Sequence, residues 1–131
     1  MIYVYCRRLS TTMATPTDPA PLDLLQGTLD MLILRTLRLG PRHGHGIGQA
    51  IRAGSDHQLK IETGSLYPAL HRLVKRGWLK AEWGVSEANQ RAKFYQLTTA
   101  GKAQLTREES RWAQMVAAIG RIMNPAKEER A

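Results

Sequence analysis

Leu29, Leu32, Ile33 and Leu37, with Leu25 one turn earlier, recur at the spacing of a helix with one buried side. The stripe predicts a first helix from Asp23, with Gly40-Pro41 as its stop. A shorter helix follows over about 44–53, with Ile47, Ala50 and Ile51 inward and Gly54 at its end. Between Ser55 and Glu62, Leu59 and Ile61 alternate with polar residues, as in a short strand or extended loop. A third helix starts where Thr63 can cap a free amide and closes at Gly77; its buried stripe is Leu66, Ala69, Leu70, Leu73 and Val74. The period then drops to two. Leu79, Ala81 and Trp83 alternate with Lys80 and Glu82, residues 84–90 form a polar turn, and Tyr95 and Leu97 mark a return strand over 92–97.

Thr98 is the expected cap of a last helix that runs to about Met123 and stops at Asn124-Pro125. Leu105, Trp112 and Ile119 repeat every seven residues, Met115 and Ile122 fall three places after two of them, and Val116 and Met123 widen the stripe. Glu108 takes the remaining position of that seam. Some 25 residues of helix extend about 38 Å, more than so small a domain can cover. The apolar face is therefore expected to pack on a second copy, with Leu25 and Leu29 of the first helix helping; the alternative is that it folds back on its own domain.

Residues 10–21, STTMATPTDPAP, hold almost no large apolar side chain, and residues 1–21 are expected to be a disordered leader. Met13 within it is a candidate biological start; the alternative is an N-terminal strand built on IYVY. This divides the chain into a leader (1–21), a domain of three helices and a hairpin (22–97), a dimerisation helix (98–124) and a flexible tail (125–131).

Composition narrows the partners. A formal charge of +8 and a pI near 10.2 favour an anionic surface, either nucleic acid or membrane. No apolar run approaches the roughly 18 to 20 residues of a membrane span. Arg7 and Arg8 follow MIYVYC instead of preceding a longer apolar core, which is not a signal-peptide pattern. Cys6 is the only cysteine, consistent with a reducing, cytoplasmic setting and incompatible with a Cys-rich zinc site. His43, His45, His57 and His71 form no set with metal-ligand spacing, so no metal or cofactor is expected. Nor is catalysis: the chain offers no nucleophile with a nearby base, and the glycines of 44–48 do not make a nucleotide fingerprint.

The third helix gives the charge a shape. Opposite its buried stripe lie Pro68, His71, Arg72 and Lys75, flanked by Ser65, Tyr67 and Arg76, and no acid occurs between Thr63 and Ala81. Cations of this kind displace counterions from phosphates while planar polar groups reach base edges, although a solvated surface helix can look the same. Arg91 and Lys93 start the return strand beside the hairpin tip, where they suit either a DNA-touching wing or protection of a strand edge. The pattern predicts a mainly α fold with a small β-hairpin: a winged helix-turn-helix plus a long C-terminal dimerisation helix. A winged-helix module that binds protein or RNA without reading a promoter is the competing function.

LLQGTLDMLILRTLRLGPRHGHGIG, GSLYPALHRLVKRGWL and WGVSEANQRAKFYQLTTAGKAQL together resemble a bacterial PadR-type transcriptional regulator over about residues 22–123. The resemblance implies a homodimer that binds double-stranded DNA, usually as a repressor near its own gene. It places Ser65, Tyr67, His71, Arg72 and Lys75 on the recognition helix, Arg91 and Lys93 on the wing, and Tyr67 against the DNA backbone. It also implies the short subgroup with one C-terminal helix. Some relatives take a small aromatic effector at the dimer interface, where Trp112 would stack on it; Trp112 equally serves as seam filler. His45 departs from the pattern, which usually has Tyr there.

Overall fold

A computed structural model describes residues 27–125. The expected leader, Met13, Leu25 and the tail beyond Pro125 lie outside those residues, as does the start of the first helix at Asp23. Helix α1 runs Thr28–Thr36, entered from Gly27 at φ +90°, and tightens into a 3-10 turn over Leu37–Leu39. Its buried side is Asp30, Ile33, Leu34 and Leu37, one step round from the expected stripe. Leu29 and Leu32 pack partly buried against the same core.

Helix α2 spans Gly44–Gly54 with Ile47 and Ile51 inward. Its cap is a side chain that composition would not nominate: the Gly46 N–H donates to His43 Nδ1 at 3.0 Å. Helix α3 spans Thr63–Lys75 and buries Leu66, Ala69, Leu70 and Leu73. Thr63 is its first helical residue and not its cap; Glu62 holds the cap position without a side-chain bond, its carbonyl accepting from the amides of Ser65 and Leu66. Gly77 ends α3 at φ +82°, with its amide bonded to the Val74 carbonyl and that of Trp78 to the Leu73 carbonyl. That pair of bonds satisfies two otherwise orphaned carbonyls and turns the chain straight into the hairpin.

The sheet has three strands, one more than expected. β1 (Arg42–His43), β2 (Leu79–Val85) and β3 (Arg91–Leu97) pair antiparallel in the order β1-β3-β2. Two residues are too few to show a period, which hides β1 in the sequence. Opposite one another stand Leu79 and Leu97, Ala81 and Tyr95, and Trp83 and Lys93. The first two pairs face the core, where Ile33, Leu34, Ile47, Leu70 and Leu73 are wholly sealed from solvent.

Thr98 joins the hairpin to the last helix, α4 (Thr99–Met123). Its hydroxyl oxygen accepts from the Gly101 amide at 3.0 Å and donates to the Gly77 carbonyl at 2.6 Å, and its own amide donates to the Trp78 carbonyl at 3.1 Å. Gly101 is buried so close to this joint that a Cβ on it would overlap the Trp78 carbonyl. The first part of α4 packs on its own domain through Leu105, and Glu109 reaches Arg35 of α1 at 2.6 Å. Leu105 therefore leaves the expected dimer seam, because it is sealed inside the core of its own chain. From Ser110 to Met123 every residue is exposed.

Candidate nucleic-acid interface

The exposed side of α3 follows from the residues its core side consumes. With Leu66, Ala69, Leu70 and Leu73 turned inward, Ser65, Tyr67, Pro68, His71, Arg72, Lys75 and Arg76 are left at the surface. Among the described residues no carboxylate pairs with His71, Lys75 or Arg76. Arg76 lies over the Trp78 ring at 5.3 Å, which holds one cation at the base of the hairpin.

Arg72 differs from its neighbours. Its Nη2 donates to Asp30 Oδ1 of α1 at 2.7 Å, with the arginine side chain 47% exposed and the aspartate side chain 13%. The expected free cation is thus half anchored. Asp30 had a legible signal in the sequence, since it stands three, four and seven places before Ile33, Leu34 and Leu37 on one helix side. A carboxylate at that place needs a buried partner, because stripping water from an unpaired ion costs several kcal/mol.

Tyr67 rests on the start of α2. A Cβ at Gly44 would come within 2.6 Å of the Tyr67 ring and hydroxyl, so glycine there makes room for the tyrosine. Tyr95 of β3 is buried nearby; desolvation, followed by the charge of Tyr67, raises its pKa above the ordinary phenol range, so it is neutral at physiological pH.

The hairpin tip carries its own cationic group. Arg91 and Lys93 lie over the Trp83 ring at 4.6 and 5.8 Å, and Trp83 is 60% exposed. Trp83, on the same side of the strand as Leu79 and Ala81, projects past the core and carries two cations, which keeps them on one side of the hairpin. The tip is tied back to α2 through His43. Since His43 Nδ1 accepts from Gly46, Nε2 carries the proton and faces Glu87 Oε1 at 3.3 Å. Backbone hydrogen bonding first, and His43 second, lower the Glu87 pKa and keep it ionised. His45, the departure from the family pattern, stacks on the His43 ring at 6.4 Å. Among the described residues no group of three or more His, Cys, Asp or Glu is placed to hold a metal.

A helix-turn-helix with a cationic recognition side and a cationic hairpin is thus assembled from α2, α3, β2 and β3. The model of the transcriptional regulator PadR-like family matches residues 33–107, more than half of the chain. The chain belongs to the PadR-like family. A PadR family regulator is a transcriptional regulator and not an enzyme. The matched stretch runs from the middle of α1 through the hairpin into α4, and so contains both cationic groups.

A protein of Lysinibacillus sphaericus with no assigned role is 33% identical over 102 residues, covering 77% of this chain and 93% of its own. A transcriptional regulator of Mycobacterium tuberculosis is 38% identical over 66 residues, 50% of this chain and 58% of its own. Among solved structures, a PadR family transcriptional regulator from Eggerthella lenta superposes with a TM-score of 0.65 at 29% identity, covering 93% of this chain and 97% of its own. A transcriptional regulator from Clostridium thermocellum does so with 0.67 at 29% identity, covering 73% and 93%. Membership makes the chain a DNA-binding regulator by family. No helix among the described residues is long and apolar enough to cross a membrane.

Proposed function

We propose that this PadR family member is a homodimeric, sequence-specific repressor that acts in the bacterial cytoplasm at a promoter near its own gene. Helix α3 enters the major groove with Ser65, Tyr67, His71, Arg72, Lys75 and Arg76. The wing lays Arg91 and Lys93 on the adjacent backbone or minor groove. The observation that carries the reading is the acid-free side of α3: His71, Lys75 and Arg76 are exposed and unpaired among the described residues, on a helix whose other side is fixed in the core.

The dimer rests on α4. Trp112, Met115, Val116, Ile119 and Ile122, with Met123, are 44 to 76% exposed on a helix that makes no use of them in its own chain. Such a segment standing alone in water is marginal as a helix, and a second copy supplies the missing surface. Trp112 lies at the start of that stripe and fills the seam; a flat aromatic effector between the two copies would meet it first.

Selection of binding sites from a random duplex pool tests this reading. A dimer gives a two-fold palindrome with half-sites about one helical turn apart. Asymmetric or unrelated sequences would contradict it.

Two substitutions probe the parts. Gly44→Ala should shift Tyr67 off α2 and lower operator affinity about ten-fold, while the urea midpoint moves little, because the displaced ring is half exposed and can swing away. A loss of stability equal to the loss of affinity would instead make Tyr67 a packing residue. Lys93→Ala should reduce the slope of log affinity against log salt by about one, the share of a single phosphate contact. An unchanged slope removes Lys93 from the interface.

A further inference from the structure

The pair Asp30–Arg72 is out of keeping with its surroundings. Every other buried large side chain of α1 and α3 is apolar, and a leucine at position 30 would continue the stripe without any desolvation cost. The fold keeps a carboxylate there instead, and that carboxylate has one partner among the described residues, the Arg72 guanidinium at 2.7 Å. The geometry is also lopsided. Asp30 is nearly sealed, whereas Arg72 is half exposed on the same side as His71 and Lys75. One nitrogen is tied inward, and the rest of a planar group with five donors is left at the surface.

Two consequences follow. Tying one nitrogen fixes the plane and direction of the outward edge, so the rotamer freedom that a loose arginine loses on binding is already gone. The carboxylate also neutralises the guanidinium, which weakens its pull toward any phosphate that happens to be near. The first effect favours a directed hydrogen-bonded contact with a base edge. The second disfavours sequence-blind attraction to the backbone, which is what Lys75 and Arg76, unpaired among the described residues, provide.

We propose that Asp30, a residue of α1 outside the recognition helix, is a specificity-determining positioning residue: it holds Arg72 as a base reader and prevents it from acting as a phosphate clamp. The inference rests on the reading of α3 as the recognition helix. It assigns a role in DNA recognition to a buried side chain that touches no DNA.

The test compares the native chain with Asp30→Asn on a pool-selected operator duplex and on a shuffled duplex across a salt series. Asn keeps the size and an acceptor but removes the charge. The expected result is tighter binding to the shuffled duplex, a salt slope steeper by about one as Arg72 becomes free for a phosphate, and an operator preference reduced about ten-fold or more. A merely structural Asp30 would weaken both duplexes alike and leave the slope as it was, which overturns the proposal. The double variant Asp30→Asn/Arg72→Gln keeps the test decisive should the single one unfold, since it removes both charges together. It should show the native salt slope with the operator preference lost; a retained preference overturns the proposal. A native chain with no operator preference would overturn the functional reading itself, and that outcome is read from the unsubstituted protein alone.

Discussion

Ile119→Asp is expected to leave the protein monomeric at micromolar concentration in sedimentation, with operator affinity reduced by a hundred-fold or more. Ile119 lies in the middle of the exposed stripe from Trp112 to Met123, 49% exposed in the single chain. In a two-fold dimer it is buried twice. Each large apolar side chain removed from water contributes about 1.5 to 3 kcal/mol, and an unpaired buried carboxylate costs several more. Since 1.4 kcal/mol is a factor of ten, the dissociation constant of the dimer should rise by at least three orders of magnitude. Loss of the dimer separates the two recognition helices and removes their joint hold on two half-sites. Far-ultraviolet circular dichroism should fall in parallel, because residues 110–123 are exposed in the single chain and would lose the cover that the proposed seam gives them. A variant that stays dimeric would show that α4 uses another side, or folds back on its own domain.

The second large effect concerns stability. Gly101→Val should lower the unfolding free energy by roughly 3 kcal/mol or more, read from urea midpoints at constant slope. Gly101 lies in the first turn of α4, where any Cβ overlaps the carbonyl of Trp78 and comes within 3.1 Å of Leu97 Cδ2. Neither neighbour can yield: that carbonyl accepts from the Thr98 amide, and Leu97 is buried in the core. Gly120, on the same helix, has nothing within 4 Å of its added Cβ, so Gly120→Ala should act in the opposite sense and stabilise by about 0.5 to 1 kcal/mol. Opposite signs for two glycines of one helix would locate the constraint at the Thr98 joint. A tolerated valine at 101 would mean that α4 does not seat on the hairpin as described.

The elements that were legible in the sequence are those whose pattern is repeated. The inward sides of α2 and α3 and the period-two alternation of the hairpin each rest on several residues that agree. Single residues read less well. Thr63 looks like a cap by type, but the cap is the last residue before the backbone turns helical, and since the helix begins at Thr63 that residue is Glu62. Leu105 fits a heptad, yet a heptad records only which side of a helix is apolar and not whose chain covers it. The first turns of α4 are covered by their own domain and the later ones are not. A charge within an apolar run reads as an outward position, which hides Asp30, although its spacing to Ile33, Leu34 and Leu37 marks it as inward. Its partner lies 42 residues further along, a distance that periodicity cannot reach. The fit of Tyr67 on Gly44 is likewise a contact between helices, and Trp83 differs from a core residue only by standing one pair beyond the last one that the core covers.

In the proposed dimer the cationic side of α3, presented twice, reads a particular DNA sequence. The deciding measurement is fluorescence anisotropy of the native protein on a pool-selected duplex and on a shuffled duplex of the same composition, at about 150 mM salt. A preference on the order of 10³ or more is predicted. Equal affinities for the two duplexes, falling together as salt rises, would contradict it and leave a protein that binds the phosphate backbone alone.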